Sequence, residues 1–187
     1  MDNIVSIFDL QKDGIGKSIV FIDYDHAQVH EGETYKFFTY KTALGAGASY
    51  SIYFTTNTLK NMHLKNLELW SSGAEAWADI YEALTATTTG GKSIVAYNCN
   101  RKGTSTSGIT IKGSATVMTL GGAKQLDRII VGGSSTNQSK LGGNFQPFNE
   151  WILAKNTKYG VKITNKGAGT NNVYFSARFY NETTDLG

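Results

Sequence analysis

The chain has 187 residues, the length of one domain, and its 18 basic against 15 acidic residues give a net charge of +3. Its lysines are scattered and form no basic run, which excludes the electrostatic footprint expected of a nucleic-acid binder. The single cysteine, Cys99, excludes an intrachain disulfide, and no apolar run approaches the ~18 residues a membrane helix needs.

Charged residues make up only 18% of the chain, so its polar surface must come mainly from Ser, Thr, Asn and Gly. The first sixteen residues carry Asp2 and Asp9 without a basic leader, which reads as no signal peptide. The expectation is a soluble protein synthesised in a cytoplasm.

In chain order, Ile4, Val5, Ile7, Phe8 and Leu10 precede a break at Asp13-Gly14-Ile15-Gly16. Residues 1–16 therefore read either as the first strand or as an arm that docks on a neighbour, and residues 17–187 as one β-sandwich domain. Ser18–Ile22 is a continuous apolar run suited to a strand covered on both faces. Tyr35–Lys41 and Tyr50–Thr55 are aromatic-rich strand candidates. Met62–Trp70 opens with Met62 and Leu64 on one face but ends with Leu67 and Leu69 on the other; a bulge near Lys65-Asn66 repairs the slip.

Glu75–Leu84 is ambiguous. Trp77, Ile80, Tyr81 and Leu84 have helical spacing, and Ser72 with Glu75 matches a capping box. Its neighbours are strands, and strand is the narrowly preferred reading. Ile94–Tyr97, Ile109–Lys112, Thr116–Leu120, Asp127–Val131 and Glu150–Leu153 follow as short strands. Residues 158–164 and 173–180 alternate cleanly, with Tyr159, Val161 and Ile163 on one face and Val173, Phe175, Ala177 and Phe179 on another. The Gly- and Asn-rich stretch from Asn165 to Asn172 reads as a hairpin-like connection between them. Glycine pairs at 90–91, 121–122, 132–133 and 142–143 read as turns, and regularly spaced turns mark a sandwich or barrel. The fold expected is all-β, a jelly-roll-like β-sandwich.

Few residues suggest chemistry. Gly16-Lys17-Ser18 matches the end of a phosphate-binding loop, but Gln11 stands where the pattern needs glycine, and a strand rather than a helix follows. His26 and His30 are four apart. On a helix they would share a face and could hold zinc; on a strand they would lie about 13 Å apart. Ala27 also replaces the glutamate of the zincin order. A structural role for both is favoured. Cys99 reads as a semi-buried thiol, since His26, His30 and His63 are all distant in sequence. There is no Gly-x-Ser-x-Gly elbow. No catalytic, cofactor-binding or metal-binding residue is assigned, and neither an enzyme activity nor a cofactor is expected. Ten Tyr, nine Phe and three Trp remain, most of them expected in the core.

Four stretches carry a resemblance: Asp25-His26-Ala27-Gln28-Val29-His30-Glu31-Gly32; Ser71-Ser72-Gly73-Ala74-Glu75 leading to Tyr81-Glu82; Tyr97-Asn98-Cys99-Asn100-Arg101; and Glu150-Trp151-Ile152-Leu153-Ala154-Lys155-Asn156-Thr157-Lys158-Tyr159, continued to Tyr180-Asn181-Glu182. Together they resemble a group of tailed-bacteriophage virion proteins, similar to small β-sandwich head decoration (cement) proteins. The resemblance implies a structural protein on the outer capsid surface, a homotrimer bound to the major capsid protein, with no nucleic acid or membrane partner. Ile4, Val5, Ile7, Phe8 and Leu10 would be its clasp. The alternative is a tail or baseplate module that stacks host surface glycan on Trp70, Trp77 or Trp151.

Overall fold

Alternation decides the long strands. In a half-buried strand, successive side chains face opposite sides, so one set must be apolar. The computed structural model describes residues 10–12, 19–21, 24–85, 91–114, 118–132, 141–145 and 150–182. β1 (Leu10–Lys12) and β2 (Ile19–Phe21) pair antiparallel as a two-stranded sheet, with Leu10 opposite Phe21. Ile4, Val5, Ile7 and Phe8 lie outside the described residues, as does the Gly14–Ser18 match. A short helix, α1 (Tyr24–His30), follows.

The body consists of β3 (Thr34–Leu44), β4 (Ser49–Thr55), β5 (Met62–Ser71), β6 (Ala76–Glu82), β7 (Lys92–Ile94), β8 (Tyr97–Asn98), β9 (Thr110–Ser114), β10 (Lys124–Val131), β11 (Leu141–Phe145), β12 (Trp151–Leu153), β13 (Lys158–Asn165) and β14 (Asn171–Asn181). One sheet runs β10-β6-β13-β4-β9-β7. The other runs β11-β5-β14-β3-β8, with β12 also on β5. The pairing is that of one long hairpin rolled up: β3 lies against β14, β4 against β13, β5 against β11 and β12, and β6 against β10. Along each arm the chain switches sheets repeatedly, which is the jelly roll. Between β6 and β10 in the chain, three short strands extend both sheets, with β9 on β4, β7 on β9 and β8 on β3.

Between the sheets lie Phe37, Phe54, Phe175, Phe179, Ile52, Leu69 and Ile163, all buried. Tyr159, Val161 and Ile163 face this core, as do Val173, Phe175, Ala177 and Phe179. The bulge in β5 falls at Lys65: Arg178 opposes Asn66 and Phe179 opposes Leu64, so Lys65 has no opposite residue and both apolar halves of the strand face inward. Glu75–Leu84 resolves as strand β6. Ala76, Ala78 and Ile80 enter the core while Trp77, Asp79 and Tyr81 face out. The capping box does not form. Ser72 Oγ accepts from the Asn172 N–H and Glu75 Oε1 accepts from Trp77 Nε1. Flanking ladders from β10 and β13 satisfy the backbone here and override the local helical spacing.

His26 and His30 lie on helix α1, the alternative in which residues four apart share a face. Several expectations are corrected. Asn165–Asn172 is no hairpin: β13 and β14 belong to opposite sheets, and the segment crosses between them. Ile94–Tyr97 is two strands in different sheets, split where Val95 is exposed. Met118–Leu120 is not strand; Met118 packs with Tyr53, Tyr81 and Leu84 on the outer side of a sheet. There Gly160 leaves room, since a Cβ would meet Met118 Cε at 2.5 Å. Gly142-Gly143 lies inside β11 rather than in a turn, because β5 supplies its ladder partners Trp70 and Leu69.

Corners strand backbone groups, and buried side chains receive them. Asn165, fully buried, donates from Nδ2 to the carbonyls of Leu44 (2.8 Å), Gly45 (3.0 Å) and Gly169 (2.7 Å), and its Oδ1 accepts from the Gly167 N–H (2.9 Å). Thr56 does the same at the opposite corner, donating to Ala154 O (2.6 Å) and accepting from the Thr157 N–H (2.9 Å). The Asn165→Ala variant is expected to lose roughly 3 kcal/mol of unfolding free energy in chemical denaturation, because several buried carbonyls lose their donor together. A loss below about 0.5 kcal/mol, the scale of a surface change, would show that water replaces the amide freely.

Candidate functional site: the outer face of the β3–β14–β5 sheet

Four rows of outward side chains cross β3, β14 and β5 in register. They are Tyr40–Tyr174–Trp70, Phe38–Ser176–Glu68, Lys36–Arg178–Asn66 and Thr34–Tyr180–His63. The face thus grades from aromatic at one end, through polar, to titratable at the other.

At the aromatic end Tyr40 is 60% exposed, Trp70 50% and Phe38 46%. Tyr97, on the added edge strand β8, is 47% exposed and stacks on Phe38 at 6.0 Å between ring centroids. Tyr174 stacks on the other side of Phe38 at 6.1 Å. Five rings therefore form one contiguous, solvent-facing patch, and such patches mark contact surfaces. The other tryptophans are engaged. Trp77 lies between Arg128 (4.3 Å) and Lys166 (4.1 Å), and Trp151 packs against the core.

Next to the rings is a cavity of about 360 Å³ lined by Val29 of α1, Cys99, Lys36, Asn66, Glu68, Ser176 and Arg178. Glu68 accepts from Ser176 Oγ (2.8 Å) and Asn66 Nδ2 (3.3 Å), and Lys36 Nζ is 3.6 Å away. Cys99 is held by its backbone, whose N–H donates to Thr34 O at 2.8 Å. It is partly buried, as expected of a small thiol.

At the far end His63 is 8% exposed and stacks on Tyr180 with centroids 4.5 Å apart. Its Nδ1 faces Glu150 Oε1 and lies 2.9 Å from the Tyr180 hydroxyl, which donates to the same Glu150 oxygen at 2.5 Å. Lys65, on the bulge, donates to Glu150 Oε2 at 2.7 Å. On the other side His63 Nε2 is 4.0 Å from Glu182 Oε2, whose oxygen also accepts from Asn61 Nδ2 at 2.5 Å. This cluster fastens the start of β12 and the end of β14 to β5. Sequence reasoning missed it because the bulge, and not any motif, brings Lys65 to Glu150.

Among the described residues, no group of three or more His, Cys, Asp or Glu is placed to hold a metal, and no helix is long and apolar enough to cross a membrane.

Burial alone would raise the Glu150 carboxyl, but the hydrogen bonds from Lys65, Tyr180 and His63 outweigh it and hold the group below the usual carboxylate range. A depressed folded-state pKa contributes stability above the unfolded value, near 4.3, and that contribution fades as pH falls through the folded value. Glu150→Gln is therefore expected to be less stable than wild type at pH 7 by about 1 kcal/mol. Urea titrations across pH should show the gap closing on acidification; a gap that holds constant to low pH would contradict the ionic origin. No protein-family model matches the chain, nor does any curated protein or any solved structure.

Proposed function

We propose that this chain is a structural protein of a tailed-phage virion. In this reading it is a head decoration protein on the outer capsid surface, synthesised in the host cytoplasm, that performs no catalysis. It binds the major capsid protein through the aromatic end of the β3–β14–β5 face and associates with copies of itself as a trimer. The observation that carries the reading is the in-register patch of Phe38, Tyr40, Trp70, Tyr97 and Tyr174. Aromatic side chains dominate the energetics of protein interfaces. A patch spread over four strands suits a broad seam between capsomers better than a small ligand. The jelly roll is a common scaffold of viral capsid proteins, which supports the assignment by analogy. The resemblance in sequence supports it independently of the fold. Binding to the assembled shell and not to its dissociated subunits stabilises the shell by linkage. Ile4, Val5, Ile7, Phe8 and Leu10 serve as the second contact, a clasp at the N-terminal end.

Trp70 favours a second reading, a tail or baseplate module for host surface glycan. Its half-exposed ring offers a stacking surface, and Lys36, Asn66, Glu68 and Arg178 in the adjoining rows offer hydrogen bonds to hydroxyls.

The test compares virions with and without the gene product and adds purified protein back. The head reading predicts hundreds of copies per particle, release of DNA on warming when the protein is missing, and rescue by wild-type protein. The F38S/W70A double variant should stay folded at a cost of about 2 kcal/mol for the lost ring stacks, yet fail to rescue. A handful of copies, sound heads and lost adsorption would establish the tail reading instead.

A further inference from the structure

We propose that His26 and His30 form a two-nitrogen chelate for a divalent transition ion of the nickel–copper class. Helix α1 places residues four apart on one face. The two imidazoles lie nearly parallel, at 8°, with centroids 4.7 Å apart and Nε2 atoms 2.9 Å apart. A hydrogen bond between two imidazole nitrogens requires one of them to be an unprotonated acceptor. An ion therefore binds both nitrogens by taking the place of the shared proton: the hydrogen bond opens, the accepting lone pair turns to the ion, and the donor ring gives up its Nε2 proton to solvent or to its own Nδ1.

The separation is short enough for one ion to bridge both rings. Two metal–nitrogen bonds of about 2.0–2.1 Å meeting at a right angle set the nitrogens about 2.9 Å apart, while a tetrahedral angle sets them nearer 3.4 Å. The 2.9 Å spacing is that of the hydrogen bond itself, so the choice of ion rests on imidazole affinity, which rises along the divalent series to Ni²⁺ and Cu²⁺. Both rings are solvent-exposed, so water or an external donor can complete the shell. Among the described residues, no set of three ligands is available, and the site is a chelate of two.

The helix end is fixed before any ion arrives. Gln28 is buried, the Glu31 N–H donates to Ala27 O (2.9 Å) and the Gly32 N–H to Val29 O (3.1 Å). From the neighbouring β8 loop, Asn100 Nδ2 donates to His30 O (2.8 Å) and Asn98 Nδ2 to Gly32 O (2.8 Å). Binding therefore orders only two exposed rings, which keeps its entropic penalty small. The separation argument against metal that a strand would have supplied does not apply to this helix.

The experiment is calorimetric titration of Ni²⁺ into the full chain prepared without a histidine tag, beside His26→Gln and His30→Gln. One saturable equivalent is expected for wild type, weakened at least about ten-fold in each variant. Mg²⁺ should give no heat of binding under the same conditions. Both variants should keep the metal-free unfolding temperature of wild type, and Ni²⁺ should raise that temperature in wild type alone. Absence of saturable Ni²⁺ binding, or binding unchanged in both variants, would overturn the proposal and leave the pair as an ordinary hydrogen bond.

Discussion

A strand that leaves one sheet for the other must abandon its ladder, and everything else in this molecule depends on how the abandoned backbone groups are received. Asn165 spans three carbonyls at one corner, and Thr56 ties Ala154 to Thr157 at another. At a third, Asn171 Nδ2 reaches Ser71 Oγ (2.8 Å) and Ala74 O (3.1 Å). All three side chains are buried, so water cannot substitute for them without opening the sandwich. The apolar layer between the sheets supplies most of the favourable free energy. The corner residues satisfy the backbone where the rolled hairpin passes from one sheet to the other.

The roll also fixes what faces solvent. It sets β14 between β3 and β5, and the Lys65 bulge keeps both ends of β5 in phase with it. One consequence is the aromatic patch, since Tyr40, Tyr174 and Trp70 meet only because three distant segments share one register. Another is the clamp around His63, where the extra residue lets Lys65 reach Glu150. The same face thus combines an exposed aromatic end with a fastened end.

Local signals carried much of the fold. The clean alternation of residues 158–164 and 173–180 gave their inward faces, and the phase slip in Met62–Trp70 put a bulge near Lys65-Asn66, which the register places at Lys65. Long-range effects remained hidden. Whether β13 and β14 share a sheet depends on Asn165 and the chain's other corners, not on the glycines between them. Helical spacing in Glu75–Leu84 was overruled by ladders from β10 and β13. Gly142-Gly143 looked like a turn because glycine permits one, but β5 offered it hydrogen bonds instead. The candidate site was less legible than the core. Trp70 could be singled out as an aromatic, yet its exposure and its neighbours follow from registers that no local pattern encodes.

The most direct measurement of the central claim is a cryo-electron microscopy reconstruction of the intact virion. The account predicts jelly-roll density on the outer head lattice, with Phe38, Tyr40, Trp70, Tyr97 and Tyr174 turned toward the major capsid protein. Density confined to the tail, or bound to the head with that face turned to solvent, would contradict it.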